Sequence, residues 1–454
     1  MKPLKFMVGA QALFVALPVP SCAEEDAAAQ VPPGAKLSFL ENGQIKVGVD
    51  LTHGGAVVFL AKPGGQNLIN NFDLGRQVQL SFFSGPVPFR ADGQEPAKHW
   101  SHLGWNPIQS GDDFKNPGRL IAHENDGHIL HVKCQPLQWP LNHVPGECTF
   151  DSWLELDGPV VKARALLSNA RPDHTQYPAR LQELPAVYAN ASFHRVVSYT
   201  GASPFTGDAV TEVPKSTGGH PWTFWHGTEN WSALLNADNQ GLGLVTPGRI
   251  FFTGGFAGQP GPNDPFGNAT GYLAGQAWEI LDHNISFEFR YELVAGSLEE
   301  IRARATAVRS TVLPAWTFSG DRQGWHHARI TDRGWPITGM LDLTPQQDDP
   351  QLISPFTFWK AAEAPFLLIE AAWSTPHRTG TVYWQHLGEE SPAATDHLDF
   401  PLHPDGKFHL LSIRLADNPS YGGPMIRLRL DPVPAGSADD RIRIKSIRLS
   451  KTPQ

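Results

Sequence analysis

From residue 287 to residue 293 the chain alternates in character: Phe287, Phe289, Tyr291 and Leu293 are apolar or aromatic, while Glu288, Arg290 and Glu292 between them are charged. A period of two marks a strand with one buried and one wet face, and it does not suit a helix. The pattern recurs along the chain. Val78, Leu80 and Phe82 alternate with Gln77, Gln79 and Ser81, and Val161, Ala163, Ala165 and Leu167 alternate with Lys162, Arg164 and Leu166. Shorter strand-like runs at residues 45–49, 56–60, 129–132 and 150–156 lie between turn-forming clusters such as residues 53–55 and 63–66. With 43 glycines and 40 prolines, turns are frequent enough to keep strands short and their connections antiparallel.

One helix stands out. Ser297 is placed to cap a segment running to about Arg309, with Glu299 and Glu300 in its first turn and Arg302 and Arg304 further along, the order that the helix dipole favours. It ends near Pro314, and a second series of strands starts at Ala315. At 454 residues the chain is too long for one ordinary core. The expected organisation is a leader over residues 1–23, an Ala- and Pro-rich tether over 24–35, a larger all-β domain over 36–314 and a smaller all-β domain over 315–454. Residues 254–272, dense in Gly, Pro and Asn, read as a loop.

The leader carries Lys2 and Lys5, an apolar run to Leu17, and a small-x-small step from Ser21 to Ala23. It directs the mature chain to a secreted or periplasmic place. Cys22 also suits an acylated outer-surface lipoprotein, although Pro20 does not. In such a compartment Cys134 and Cys148 form either a disulfide or a pair of buried free thiols. A net charge of −9 without a basic run argues against nucleic acid or an anionic membrane as partner, and the leader is too short to remain as a membrane span.

Three polar-aromatic stretches are candidates for a site. The first, residues 180–201, places Arg180, Gln182, Glu183 and Tyr188 around a buried-strand pattern, with Pro185 limiting where that strand can pair. It reads either as a structural ion-pair network or as a ligand contact. The second, residues 99–114, has no period and gathers His102, Trp105, Asn106, Gln109 and Asp112. His99 and His102 are a weak zinc-ligand pair, and no metal is assigned. The third, residues 222–231, sets His226 three residues before Glu229, between Trp225 and Trp231. Either the two converge on one substrate or they satisfy each other. The 14 tryptophans serve as core mass or as flat platforms for the apolar faces of sugars.

Two resemblances follow from particular residues. The segment with Phe318, Gly324 and Trp325, the Asp349-Pro350-x-Leu352-x-Ser354-Pro355 step, Tyr383 and Trp384, residues 405–415 and the Leu-Arg-Leu-Asp-Pro run after Arg427 resembles the β-sandwich carbohydrate-binding modules of secreted polysaccharide-degrading enzymes. That resemblance implies a β-sandwich or jelly-roll and a possible structural calcium whose ligands it does not place. The Gly54–Val58 run before Asn-Leu-Ile-Asn, Glu229–Leu234 before Gly241–Leu244, and the last strand leading into the helix resemble the galactose-mutarotase-like super-sandwich of sugar epimerases, hydrolases and lyases. It implies a carbohydrate-active enzyme without fixing its catalytic residues.

The expectation is a glycoside hydrolase acting on a poly- or oligosaccharide without a cofactor. Glu183 and Glu229 are its acid and base or nucleophile, with Asp112 in reserve. Arg180, Gln182, Tyr188, His102, Trp105, Asn106, Gln109, Trp225, His226 and Trp231 bind substrate, Arg180 orienting a carboxylate. The alternatives are a lyase acting on a uronate-containing glycan, in which Tyr188 or His226 removes the proton, and a glycan-binding protein without catalysis.

Overall fold

A computed structural model of the chain describes residues 30–216 and 221–454. The expected leader, Cys22 and the first six residues of the tether lie outside the described residues. The described chain is almost entirely antiparallel β, as the alternation implies.

Strands before the helix form two large sheets. The first runs in the order Leu37–Glu41, Lys46–Asp50, Ala56–Ala61, Val78–Ser81, Arg180–Asn190, Thr270–Glu279, Phe251–Ala257 and Trp222–His226. Two short strands, Pro107–Ile108 and Leu137–Gln138, complete its ten. The second, of nine strands, is centred on Gln240–Val245, Ser286–Ser297, Val160–Asn169 and Cys148–Asp157. The inner faces of both sheets share one hydrophobic core. Leu80, Leu184, Val187 and Leu273 come from the first sheet, and Phe150, Val161, Phe289 and Leu293 from the second. Phe82 meets Phe150 across the gap at 5.2 Å between ring centroids.

The helix Leu298–Ala307 is capped as expected: Ser297 accepts from the Glu300 N–H, and the Glu300 carboxylate accepts from the Ser297 N–H. Ile301 and Ala305 pack on the outer side of the second sheet against Val160, Trp231, Leu235 and Val294. After the helix, two six-stranded antiparallel sheets enclose a separate core that buries Trp316, Trp325, Trp359, Trp373 and Trp384. In this half the tryptophans are core mass.

One expectation is corrected. Residues 254–272 are not one loop: they begin inside the strand Phe251–Ala257 and end inside Thr270–Glu279, two paired neighbours of the first sheet next to its edge strand. Glycine is needed in these strands because other groups approach closely. A Cβ on Gly255 would lie 2.2 Å from the Pro221 carbonyl oxygen, and one on Gly254 would lie 2.4 Å from that of Tyr272. Of the two readings left open for the cysteines, the structure shows free thiols: Cys134 and Cys148 are unbonded and buried, and burial pushes both thiols far above their ordinary pKa.

A thiol reagent at neutral pH should leave both cysteines unmodified in the native protein and label both in denaturant. Labelling of the native state at the unfolded rate would contradict the burial.

Candidate functional site

The strand Arg180–Asn190 lies between Val78–Ser81 and Thr270–Glu279, and its register shifts between Glu183 and Ala186 against both neighbours. Pro185, without an N–H, falls in this irregularity, where the lost ladder bond is tolerated. Leu184, Val187 and Ala189 enter the core. Glu183, Ala186 and Tyr188 therefore point to the other, outer face, where Ala186, Tyr272 and Gln276 are buried and Glu183, Tyr188 and Trp222 are half-buried. Their direct partners share that face: Gln276 opposite Glu183, Ala274 opposite Ala186, and Tyr272 opposite Tyr188. Gly255 and then Trp222 continue the row from Tyr272.

On this face Tyr272 stacks near Tyr188 and near Trp222, each at 4.8 Å between ring centroids. Its hydroxyl donates a short hydrogen bond to Glu183 Oε1. Burial raises the pKa of the half-buried Glu183 carboxyl, against the opposing pull of that bond. The result is a phenol and a carboxyl joined by a hydrogen bond, with Ser81 as a second partner of the carboxyl and aromatic rings at the flank.

The C-terminal half covers one end of the outer face. His326 stacks on Trp278 at 5.8 Å, and Phe356 contacts both His226 at 4.6 Å and Phe251 at 4.8 Å. Beneath them is a cavity of about 270 Å³ whose lining includes Arg249, Gln276, Trp278, Glu279, His326 and Arg427. Gln276 links it to the Glu183–Tyr272 pair, since it faces Glu183 in register.

Charge in this cavity is unbalanced. The Arg427 guanidinium donates to the Ser354 carbonyl at 3.1 Å and to His326 Nε2 at 3.2 Å, and lies 4.2 Å from the Phe356 ring centroid. Burial lowers its pKa to about 10. Burial, and then the charge of Arg427, lowers that of His326 to about 3, so His326 is neutral and accepts from the arginine. Neither Arg427 nor Arg249 has an ion-pair partner among the described residues. Arg322, by contrast, is held by Asp282 at 2.5 Å and by Asp332. Glu279 is 5% exposed, and burial raises its pKa to about 8 despite the pull of Arg249 and Arg322. At neutral pH its carboxyl is largely protonated. The arginines are thus left without a fixed countercharge.

Most of the other nominated residues are structural. Glu229 is fully buried: its carboxylate accepts from Arg302 at 2.8 and 2.9 Å, from Trp231 Nε1 at 3.0 Å and from the Phe205 N–H at 2.7 Å. It therefore cannot pair with Glu183 across a substrate, and His226 does not meet it. Asp112 is 1% exposed and accepts from the N–H groups of Phe114, Asn116 and His143. Arg180 donates to the carbonyls of Leu103 and His102, and Gln182 bonds both ways with the Phe83 backbone, so neither is free for a substrate carboxylate.

Trp105, Asn106 and Gln109 are buried and bonded to Glu147, to the Phe82 carbonyl and to the Gly54 carbonyl. Trp231 is fully buried, and Trp225 packs in the core against Phe252. His102 is exposed with only its carbonyl engaged. His226 lies beside the cavity with Nε2 sealed and without a partner, and burial followed by Arg427 lowers its pKa to about 4. A sealed nitrogen is a poor proton acceptor for a substrate, so the base role foreseen for His226 is corrected as well. Burial raises the Tyr188 hydroxyl far above its ordinary pKa, which disfavours it as a base too.

Glu279, Arg249, Arg427 and Tyr272 were not singled out in the sequence. Tyr272 and Gln276 belong to a glycine-rich run that imitates a loop, and Arg427 is one of several arginines alternating along a strand.

His99 packs on Trp100 and joins no trio of metal-ligating side chains. The trio found among the described residues is His386, Glu389 and Asp396. It supplies one imidazole and two carboxylates, whereas calcium takes six to eight oxygens, so it does not fit calcium.

No known family's sequence profile matches the chain, and no curated protein matches it in sequence. Solved structures with a similar layout include a galactose mutarotase-like protein from Lactobacillus casei, at 9% identity and a TM-score of 0.35, covering 57% of this chain and 99% of that one. Another galactose mutarotase-like protein, from Clostridium acetobutylicum, has 10% identity and a TM-score of 0.35 over 58% of this chain and 96% of its own. A low-affinity xylan-binding module from Roseburia intestinalis matches 31% of this chain and 95% of its own at 12% identity and a TM-score of 0.23. Likeness at this level says nothing about substrate or chemistry.

Glu229→Gln should lower stability by about 3 kcal/mol in denaturant unfolding, because it leaves Arg302 without its countercharge. A loss below about 0.5 kcal/mol would contradict the structural role. Glu279 behaves in the opposite sense. Its folded pKa of about 8 lies above the ordinary 4.5, so its stabilising contribution is complete below the ordinary value and is lost as pH rises through the folded one. Glu279→Gln should therefore flatten the fall in stability between about pH 5 and 8. An unchanged slope would overturn this assignment.

Proposed function

We propose that this chain is a carbohydrate-active protein that binds an acidic glycan along the outer face of the first sheet and cleaves it by β-elimination. The observation that carries the reading is Arg427, half-buried without a carboxylate partner in the cavity that Arg249 also lines, where burial keeps the acid Glu279 largely protonated. A sugar carboxylate supplies the missing charge, and a guanidinium binds it in bidentate fashion. The half-buried Tyr188 and Trp222 offer ring faces to a sugar next to it, with Tyr272 buried between them.

Elimination is favoured over the hydrolysis expected from sequence because hydrolysis needs two carboxyl groups flanking one bond, about 5–10 Å apart. Glu229 is sealed, Asp112 is held by backbone N–H groups, and Glu279 follows Gln276 by an odd number of positions, on the opposite alternation of its strand. In elimination the arginines neutralise the uronate carboxylate, which acidifies the adjacent C–H. The Glu183 carboxylate takes that proton, a C=C bond forms, the neighbouring C–O bond breaks, the Tyr272 hydroxyl, which burial keeps protonated, gives the leaving oxygen its proton, and Glu183 returns one to Tyr272. No water is consumed. Action outside the cell, which rests on the leader, belongs to this proposal. Among the described residues no helix is long and apolar enough to cross a membrane.

The test is incubation with uronate-containing and neutral polysaccharides, followed by product mass and ultraviolet absorbance. The expected products absorb through a new double bond and carry no added water. Glu183→Gln and Tyr272→Phe should each lower kcat by about 10²–10⁴-fold. Products heavier by one water, equal cleavage of neutral polymers, or binding without turnover would overturn the proposal.

A further inference from the structure

A second cavity, of about 660 Å³, adjoins the first, and the two share Gly248, Ala315, Trp316 and Pro355 as common wall. Its lining carries three cations, Arg309, Lys360 and Lys451, and one carboxylate, Glu363. None of the three cations has an ion-pair partner among the described residues. Arg309 lies against the ring of Phe205, at 5.6 Å.

Taken with Arg249 and Arg427, five cations line the joined cavities against two carboxyl groups, one of them largely protonated at neutral pH. This occurs in a chain whose net charge is −9, so the positive charge is concentrated where the two halves meet. Like charges gathered without partners repel one another, and an anionic ligand relieves that repulsion. The larger volume is on the scale of sites that enclose ligands of several rings.

We propose that the second cavity binds further acidic units of the same glycan whose first carboxylate sits at Arg427. The protein then recognises a run of charged sugars and selects by chain length. Arg309, Lys360 and Lys451 are specificity residues that touch neither the bond broken nor the Glu183–Tyr272 pair. The inference rests on the acidic-glycan reading of the first cavity, and goes beyond it by assigning a second site.

Calorimetric titration with dimers and hexamers of galacturonate and of mannuronate tests it on the wild type and on the Lys360→Gln/Lys451→Gln variant. These lysines lie at the surface, and an unchanged melting temperature verifies the variant's fold. For the uronate that binds, the hexamer should bind about tenfold more tightly than the dimer, with a steeper salt dependence. The double variant should lose that preference while its dimer affinity stays the same. Equal affinities for dimer and hexamer, or a preference that survives the double substitution, would overturn the second site and leave the first intact. Failure of every oligomer to bind the wild type would overturn both.

Discussion

A guanidinium removed from water without a carboxylate to answer it is the tension around which this molecule's junction is built. Arg427 is held in place by the Ser354 carbonyl, by His326 and by the face of Phe356, all of them neutral. Those contacts orient the charge without cancelling it. The groups around it are themselves biased towards neutrality: His326 and His226 are kept unprotonated, and Glu279 is kept largely protonated. Each shift has burial as its largest cause, so the same packing that closes the cavity sets its charge state.

That packing depends on both halves of the chain. On the outer face of the first sheet the small residues Ala186 and Ala274 pack with Tyr272 beneath the half-buried rings of Tyr188 and Trp222. The C-terminal sandwich then lays His326, Phe356 and Arg427 over one end of that face. The buried Glu229–Arg302 pair fixes the turn after Trp222–His226 to the helix, and so steadies the edge strand that carries Trp222. Glu229 stays important in this account for the shape of the site.

The fold was legible where the two faces of a strand differ in solvent exposure. Residues 287–293 and 161–167 alternate because one face meets the shared core and the other meets water, and the helix was legible from its own cap. Thr270–Glu279 was not legible, since both of its faces are largely covered and glycine there answers to the close approach of neighbouring strands rather than to a turn. The site was half legible for a related reason. Polar residues beside an aromatic cluster, such as Glu229 with Trp231, look alike in sequence whether they face a ligand or each other. Glu183 was found because it breaks an apolar run. Arg427 was missed because what distinguishes it is the lack of a partner, which depends on contacts made across the whole chain.

The account stands or falls on where a bound acidic sugar places its carboxylate. A crystal structure of the chain with a uronate oligosaccharide, using Tyr272→Phe to slow turnover, measures this directly. The carboxylate should lie within hydrogen-bonding distance of Arg427, with a sugar ring on the outer face of the first sheet beside Tyr188 and Trp222. A saccharide seated instead on the Trp100 and His102 loop, with the junction cavity holding none of it, would contradict the account.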